Sequence, residues 1–307
     1  MQRLMSNPHP TFAPNAPSCL ERSCAESRPD WLSEQAAVGG VALLRASLRQ
    51  RAYARHRHDT YTIALTESGV QEFDYRGSVH RSLPGQTVVL HPDEFHDGRP
   101  GTADGFSYRS VYLDPARVHD AVRSAAGRSV ALPFVANPVV DDPQLTAALA
   151  GAFEGRLEPL AALALIDTAS TALMRAARQL PAPSRHRTLS DAVLTRAREF
   201  LEANVARVVS ADEIEAACGE TRYTISANFK RRYGTSPYRY LLMRRLEHVR
   251  ARLVDDTSLA GLAQEAGFAD QAHLTRMFKS AYGMTPSAFV ALCRAGTHPP
   301  HARIIRS

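Results

Sequence analysis

Cysteine is scarce: Cys19, Cys24, Cys218 and Cys293 are the four in 307 residues, and no two form a CxxC pair. That spacing supports neither a disulfide framework nor a thiolate metal centre, so the four read as free thiols. Long apolar runs are missing as well. Nothing approaches the ~18 consecutive apolar residues of a membrane span. The N-terminus carries only Arg3 ahead of a Pro/Asn-rich stretch, with no apolar core for a secretory signal, so the expectation is a cytoplasmic chain with no membrane partner. There is no Walker-type glycine loop, no nucleophile elbow and no HExxH pair, which leaves the common nucleotide-hydrolysing, serine-hydrolase and zinc-protease chemistries without their motifs.

What is present is an uneven charge. Residues 1–183 hold 18 Arg and Lys against 19 Asp and Glu, whereas 184–307 hold 19 against 12. The net charges of −1 and +7 place the whole basic excess in the C-terminal part, as a phosphate-facing surface requires, although a solvated basic face looks the same. With 44% hydrophobic residues the chain suits two ordinary cores. Residues 1–35 lack a hydrophobic period and read as a flexible arm. Short β-branched runs, VALLRASL, YTIALT, TVVL and YRSVYL, lie between Val41 and Leu113, punctuated by Gly69, Gly77, Pro84-Gly85 and Asp97-Gly98. They predict a small antiparallel β-domain, barrel or sandwich. Helical patterns follow at about Pro143–Glu154 and Pro159–Leu180, and PAPSRHR at 181–187 reads as the linker between a domain over 36–180 and an all-helical one over 188–294, with a flexible tail over 295–307.

The helical part repeats itself at an offset of 48 to 49 residues: IEAACGETRYTISANFKRRYGTSP at 214–237 against LAQEAGFADQAHLTRMFKSAYGMTP at 262–286. Each copy reads as helix, glycine turn, helix. Ser210 and Glu213 form a capping box ahead of the first, and Gly219 and Gly267 end the supporting helices. Ile225 with Phe229, and Leu274 with Phe278, are i,i+4 core pairs. They turn Tyr223, Ser226, Ala227 and Lys230 outward in one copy and Ala272, Thr275, Arg276 and Lys279 in the other. Ser236-Pro237 starts a connecting helix of about 18 residues, ~27 Å long at 1.5 Å per residue, comparable with the ~34 Å between successive major-groove faces. Since a B-DNA major groove admits one α-helix, two such units can bridge adjacent turns of a duplex. An all-helical protein-interaction domain is the bland alternative.

The stretch from Thr188 to Arg294, and LAQEAGFADQAHLTRMFKSAYGMTPSAF above all, resembles the DNA-binding domain of the AraC/XylS family of bacterial regulators. The resemblance implies an α+β protein of two domains, a cupin-like β-barrel plus helices and then a double helix-turn-helix, acting as a sequence-specific transcription factor and not as an enzyme. It implies base-reading positions at Tyr223, Ser226 and Ala227, and at Gln271, Ala272, His273, Thr275 and Arg276, with Lys230 and Lys279 on the same faces. Ala227 stands where many members carry a long polar side chain, which moves the expected specificity toward Arg276. The partners implied are an operator duplex and a small-molecule effector, with room for a homodimer through the helices over 143–180 and for contact with RNA polymerase.

RHRHDTYTIALTESG and LPGQTVVLHPDEFHDG resemble the cupin-like effector domain that often precedes such a DNA-binding domain. His56, His58, Tyr61, His91, His96 and Tyr108 are its candidate pocket residues, and His80 reads as an exposed turn residue. Cupin enzymes add a Glu three or four residues after the HxH pair, whereas Thr62 and Ile63 stand there in this chain. The reading therefore assigns no metal and no cofactor. A metal-dependent cupin enzyme with a DNA-binding tail, and a ligand-independent architectural DNA-binding protein, are the competing classes.

Overall fold

The computed structural model describes residues 29–128, 130–177, 188–253 and 258–296. The 181–187 linker, Cys19, Cys24 and the tail beyond 296 lie outside them. Ten strands come first among the described residues: β1 (Trp31–Val38), β2 (Val41–Leu48), β3 (Tyr53–His56), β4 (Tyr61–Gly69), β5 (Gln71–Tyr75), β6 (Ser78–Ser82), β7 (Thr87–Leu90), β8 (His96–Pro100), β9 (Phe106–Leu113) and the short β10 (Val139–Val140). They form two antiparallel sheets, ordered β1-β2-β9-β4-β7-β10 and β3-β8-β5-β6. No ladder closes them into a barrel, so the expected barrel is an open pair of sheets. Three helices belong to the same part of the chain: α1 (Pro115–Ala126), between β9 and β10, then α2 (Pro143–Gly151) and α3 (Pro159–Ala176).

The alternation of side chains along a strand decides which face each residue serves. On the larger sheet Val41, Leu43, Ile63, Leu65, Val111 and Leu113 pack on Val118, Val122, Leu145, Leu149 and Leu165 of the three helices. The alternate residues, Leu44, Ala46, Leu48, Ala64, Phe106 and Tyr108, turn to the second sheet. Burial on both faces is why these strands read as continuous apolar runs. The second sheet was nearly invisible in the sequence because its outer face is charged: Glu72 pairs with Arg81 at 2.8 Å and Arg99 at 2.9 Å, and Arg99 with Asp74 at 2.7 Å. Asp97-Gly98, expected as a turn, lies inside β8, and His80 sits in β6 stacked on Phe73 at 5.4 Å between ring centres.

The expected arm over 1–35 is corrected at its end, while residues 1–28 lie outside those described. Trp31–Val38 is an edge strand paired with β2, with Leu32 buried and polar Ser33, Glu34 and Gln35 giving it no apolar signature. Its neighbour at the other side is a C-terminal helix, α10. The helical part comprises α4 (Asp191–Ala203), α5 (Ala211–Cys218), α6 (Arg222–Tyr233), α7 (Pro237–Arg252), α8 (Leu259–Glu265), α9 (Gln271–Tyr282) and α10 (Pro286–Gly296). Instead of two cores, the apolar side chains gather into three clusters among the described residues. One belongs to the first helix-turn-helix unit, with Leu194, Leu201, Ile214, Ile225 and Phe229. The inner face of the β-domain and the second unit share another, in which Leu44 and Phe73 belong to the same cluster as Leu246, Phe278 and Phe289. The two domains are therefore welded through apolar contact along one half of their boundary.

Candidate functional site

Both repeats fold as helix, turn, helix. In the first, Ser210 accepts from the Glu213 amide at 3.2 Å while the Glu213 carboxylate accepts from the Ser210 amide at 2.8 Å, a complete capping box. Gly219 closes α5 in the left-handed conformation. Ile225 and Phe229 of α6 are fully buried, as are Leu274 and Phe278 of α9. Between the units runs α7, whose Arg245 donates to the carbonyls of Val205 at 2.8 Å and Gly267 at 3.3 Å, and also to that of Arg207. One guanidinium thus ties the approach to α5 to the turn before α9 and sets the angle between the units, a role the sequence reading missed.

On the outward faces Tyr223, Lys230, Gln271, Ala272, Arg276 and Lys279 are exposed, Tyr223 at 79%. Ser226, Ala227, His273 and Thr275 are half-buried. Thr275 donates its hydroxyl to the Gln271 carbonyl at 2.8 Å, and His273 lies edge-on to Phe268. Those two side chains are partly committed to holding α9. Lys230 and Lys279 are the only lysines in the chain and occupy matching places in the two repeats. A lysine-acylating reagent applied to the folded protein is expected to modify both, and a bound duplex to protect both; loss of either charge should flatten the salt dependence of binding by roughly one phosphate contact. Equal labelling with and without duplex removes them from the interface.

The C-terminal ends of α6 and α9 face the β-domain. At the end of α6, Arg232 donates to the Ala116 carbonyl at 2.8 Å and to Asp120 of α1 at 2.9 Å. At the end of α9, the Gly283 carbonyl accepts from the Ala54 amide at 2.8 Å and the Ser280 carbonyl from the Arg57 amide at 3.2 Å, so α9 is joined to β3 by main-chain bonds. Helices α2 and α3, expected between the domains, pack mainly on each other and on α1. Elements β1, β3 and α1 make the contact in their place.

A cavity of about 750 Å³ lies between the domains. Its β-domain wall includes His56, His58, His96 and Tyr108; its helical wall includes Tyr240, Met243, Arg244, Glu247, Arg250 and Phe289, chiefly from α7. Arg244 pairs with Asp59 of the β-domain at 2.7 Å and with Glu247 of its own helix at 2.9 Å, and Arg250 reaches Glu34 at 3.2 Å, so partly buried ion pairs cross the boundary. Burial raises the Glu247 carboxyl to about 7, against the pull of Arg244. Burial works against the Arg244 charge, but Asp59 and Glu247 more than offset it and raise its pKa.

Of the six residues expected to line a pocket, four do so. Tyr61 and His91 do not. Tyr61 shares the parity of Ile63 and Leu65 and therefore faces the helices, where its hydroxyl donates to the Pro133 carbonyl at 2.7 Å. His91 accepts from the Val135 amide at 2.9 Å and meets the Tyr75 hydroxyl at 2.7 Å. Tyr108 donates to Tyr53 at 2.7 Å. His56 and His96 face each other across the β3–β8 ladder with ring centres 4.2 Å apart, and His58 lies 4.9 Å from His96. Burial and the neighbouring imidazoles lower all three below the ordinary histidine range, His58 and His96 to about 3, so each ring is neutral at pH 7.

A ligand-sized cavity whose walls are a β-domain and the helix joining two helix-turn-helix units defines a ligand-responsive transcription regulator. Residues 38–167 match the family model of the AraC-like ligand binding domain and residues 214–291 that of a helix-turn-helix domain, together more than half of the chain. The chain belongs to the AraC/XylS family of transcriptional regulators. It is 29% identical to the transcriptional activator NphR of Rhodococcus over 239 residues, 75% of this chain and 69% of that one. To the activator RhaS of Escherichia fergusonii it is 26% identical over 252 residues, 78% and 88% of the two chains. ToxT of Vibrio cholerae has the same two-domain fold, with a TM-score of 0.61 at 10% identity over 83% of this chain and 99% of that one. No described helix is long and apolar enough to cross a membrane.

Proposed function

We propose that this chain is a cytoplasmic, sequence-specific DNA-binding regulator acting by binding and not by catalysis, and that a small-molecule effector in the interdomain cavity sets how its two reading helices are held. The observation that carries the reading is the shared wall: α7 lines the cavity with Arg244 and Arg250 while its Arg245 fixes the angle between the helix-turn-helix units. An effector changes DNA binding only if it binds two arrangements with different affinity, and a ligand touching both domains has the means to do so. The lining suits an amphipathic molecule, with a polar end among His, Tyr and Arg and an apolar body against Met243, Leu44 and Phe289. A structure of ToxT is described as bound to an unsaturated fatty acid, which makes fatty acids one class to test. A homodimer through α3 is supported by Leu160 and Leu163, 78% and 55% exposed.

Selection of bound duplexes from a random library at two salt concentrations tests the DNA half. The expected product is a site with two short elements about one helical turn apart, and Arg276→Ala should lose ~1–3 kcal/mol of discrimination at one base of the element read by α9. Equal affinity for all duplexes would make the chain an architectural protein instead. For the effector half, thermal shifts against fatty acids, aromatic carboxylates and sugars are compared between the wild type and Ala64→Trp, a substitution that fills the cavity, after circular dichroism has shown the variant to be folded. A ligand that stabilises both equally does not bind in the cavity.

A further inference from the structure

We propose that His56, His58 and His96 form a binding site for one divalent transition-metal ion, and that its occupancy is transmitted through β3 to the reading helix α9. The site stands on the β-domain alone; only the transmission rests on the effector reading above.

One ring nitrogen of each histidine lies within 4.8 Å of those of the other two, and all three residues are buried. Which nitrogen is decided by the hydrogen bonds. Nδ1 of His56 faces the Ala54 carbonyl at 2.8 Å, Nδ1 of His58 the Thr60 carbonyl at 3.2 Å and Nδ1 of His96 the Glu94 carbonyl at 3.0 Å. A carbonyl only accepts, so each Nδ1 carries the proton and each Nε2 keeps its lone pair. This is the backbone-oriented arrangement that metal-ligating imidazoles use to fix tautomer and direction. Among the described residues Nε2 of His56 and of His96 has no hydrogen-bond partner, and that of His58 meets only the Thr62 hydroxyl at 3.0 Å. Three buried imidazoles with ring nitrogens within 4.8 Å of one another, two of them with unpartnered Nε2 lone pairs and the third meeting only a hydroxyl, offer an entering cation a ready donor set. Asp59, next to His58, pairs with Arg244 through one carboxylate oxygen and leaves the other buried and unpartnered, a nearby negative charge.

The donor set selects the ion. Imidazole nitrogens suit Zn, Fe, Ni and Cu and disfavour Mg and Ca. Three protein ligands leave a further coordination position toward the cavity, where water or an oxygen of an effector fits. In a tetrahedral site with ~2.05 Å bonds the nitrogens stand about 3.3 Å apart, so binding draws the rings inward and locks His56, and with it β3, against His96 of β8 and against His58. Ala54 of β3 and Arg57 just after it hold α9 by their amides, and a Cβ on Gly283 at the end of α9 would come within 2.8 Å of His56 Nδ1. A contraction at the histidines is therefore applied directly to the base of the reading helix.

The test uses the full chain, stripped with a chelator and titrated with Co²⁺ alone. The expected result is visible d–d absorption saturating at one equivalent, with affinity falling at least 100-fold in His96→Ala and in His58→Ala and unchanged in His80→Ala. Saturation at a value other than one, or bands that survive in both cluster variants, overturns the site. Because a cluster variant can lose its fold, X-ray absorption of the zinc-loaded wild type gives an answer without substitution: three imidazoles at ~2.0–2.1 Å support the assignment, and fewer than two overturn it. Hydrogen exchange reads the transmission, with the Ala54 and Arg57 amides expected to gain at least tenfold protection on metal binding. Binding with unchanged exchange at both amides overturns the transmission. Failure of Co²⁺ to bind overturns the site yet leaves a cavity-bound organic effector detectable by its own thermal shift.

Discussion

Gly283→Ala is expected to lower stability by about 3 kcal/mol and to free α9 from β3, while Gly219→Ala costs only about 1 kcal/mol. Both glycines end a helix at positive φ, +72° and +68°, where a side chain costs roughly 1–2 kcal/mol. They differ in what a Cβ would meet. At Gly219 there is open space; at Gly283 it would stand 2.9 Å from the Ala54 carbonyl oxygen and 3.1 Å from Tyr53 Cβ, in backbone that is itself bonded to α9. Relief requires β3 and the helix to part, adding an overpacking cost of ~1–3 kcal/mol. Gly234, the matching position at the end of α6, faces Pro92 and Pro115 of the β-domain in the same way. Thermal melts of the two variants, with operator binding measured with and without ligand, separate the effects: Gly283→Ala keeps its base preference and loses its response. A Gly283→Ala variant as stable as Gly219→Ala and still responsive would show that α9 is not held through this contact.

Acidification from pH 7 to pH 5 is expected to cost about 2 kcal/mol through His91 alone. Burial, and then the charge of Arg76, lowers its pKa to about 4, against an ordinary 6.5 in the unfolded chain. The hydrogen bonds state the reason: Nε2 accepts from the Val135 amide, so the proton sits on Nδ1 toward Tyr75, and a second proton has no place without breaking the Val135 bond. With the folded pKa depressed, the unfolded state takes up the proton first. The stability is present above pH 6.5 and is lost as the pH falls toward 4. Denaturant melts of the wild type and His91→Gln at pH 7 and pH 5 check this, since glutamine fills the place without titrating. The expected result is a smaller loss in the variant by about 2 kcal/mol; identical losses would assign the acid sensitivity elsewhere.

The two residues wrongly expected in the pocket illustrate how site and fold differ in legibility. Tyr61 follows the HxH pair closely in sequence, but His58 precedes β4 and Tyr61 begins it, and the two-residue period then sends Tyr61 to the helical face with Ile63 and Leu65. His91 ends β7 on the same side, near Phe134. No feature of a single sequence states which parity faces the cavity when both faces of a sheet are buried. Strands with a polar face were similarly hidden: the edge strand β1, with Ser33, Glu34 and Gln35, and the central pair β5 and β8 of the second sheet, with their arginine and acid ladder, carry polar patterns on purely local inspection. By contrast the capping box at Ser210, the left-handed glycine at 219 and the i,i+4 pairs on α6 and α9 are local and came out as read.

What the sequence determined by itself is the local form of the head: two repeated helix-turn-helix units, their buried pairs and the side chains they leave outward, because helix periodicity, caps and glycine turns act over a few residues and need no distant partner. Only the tertiary structure decided that α1, β1 and β3, and not the helices next in the chain, hold that head; that one apolar cluster runs across both domains; and that three of four expected histidines converge on a cavity walled by α7. Those are contacts between residues a hundred or more positions apart, such as Arg244 with Asp59 and Gly283 with Ala54. Their partners are set by the packing of whole sheets and helices, which no local pattern encodes.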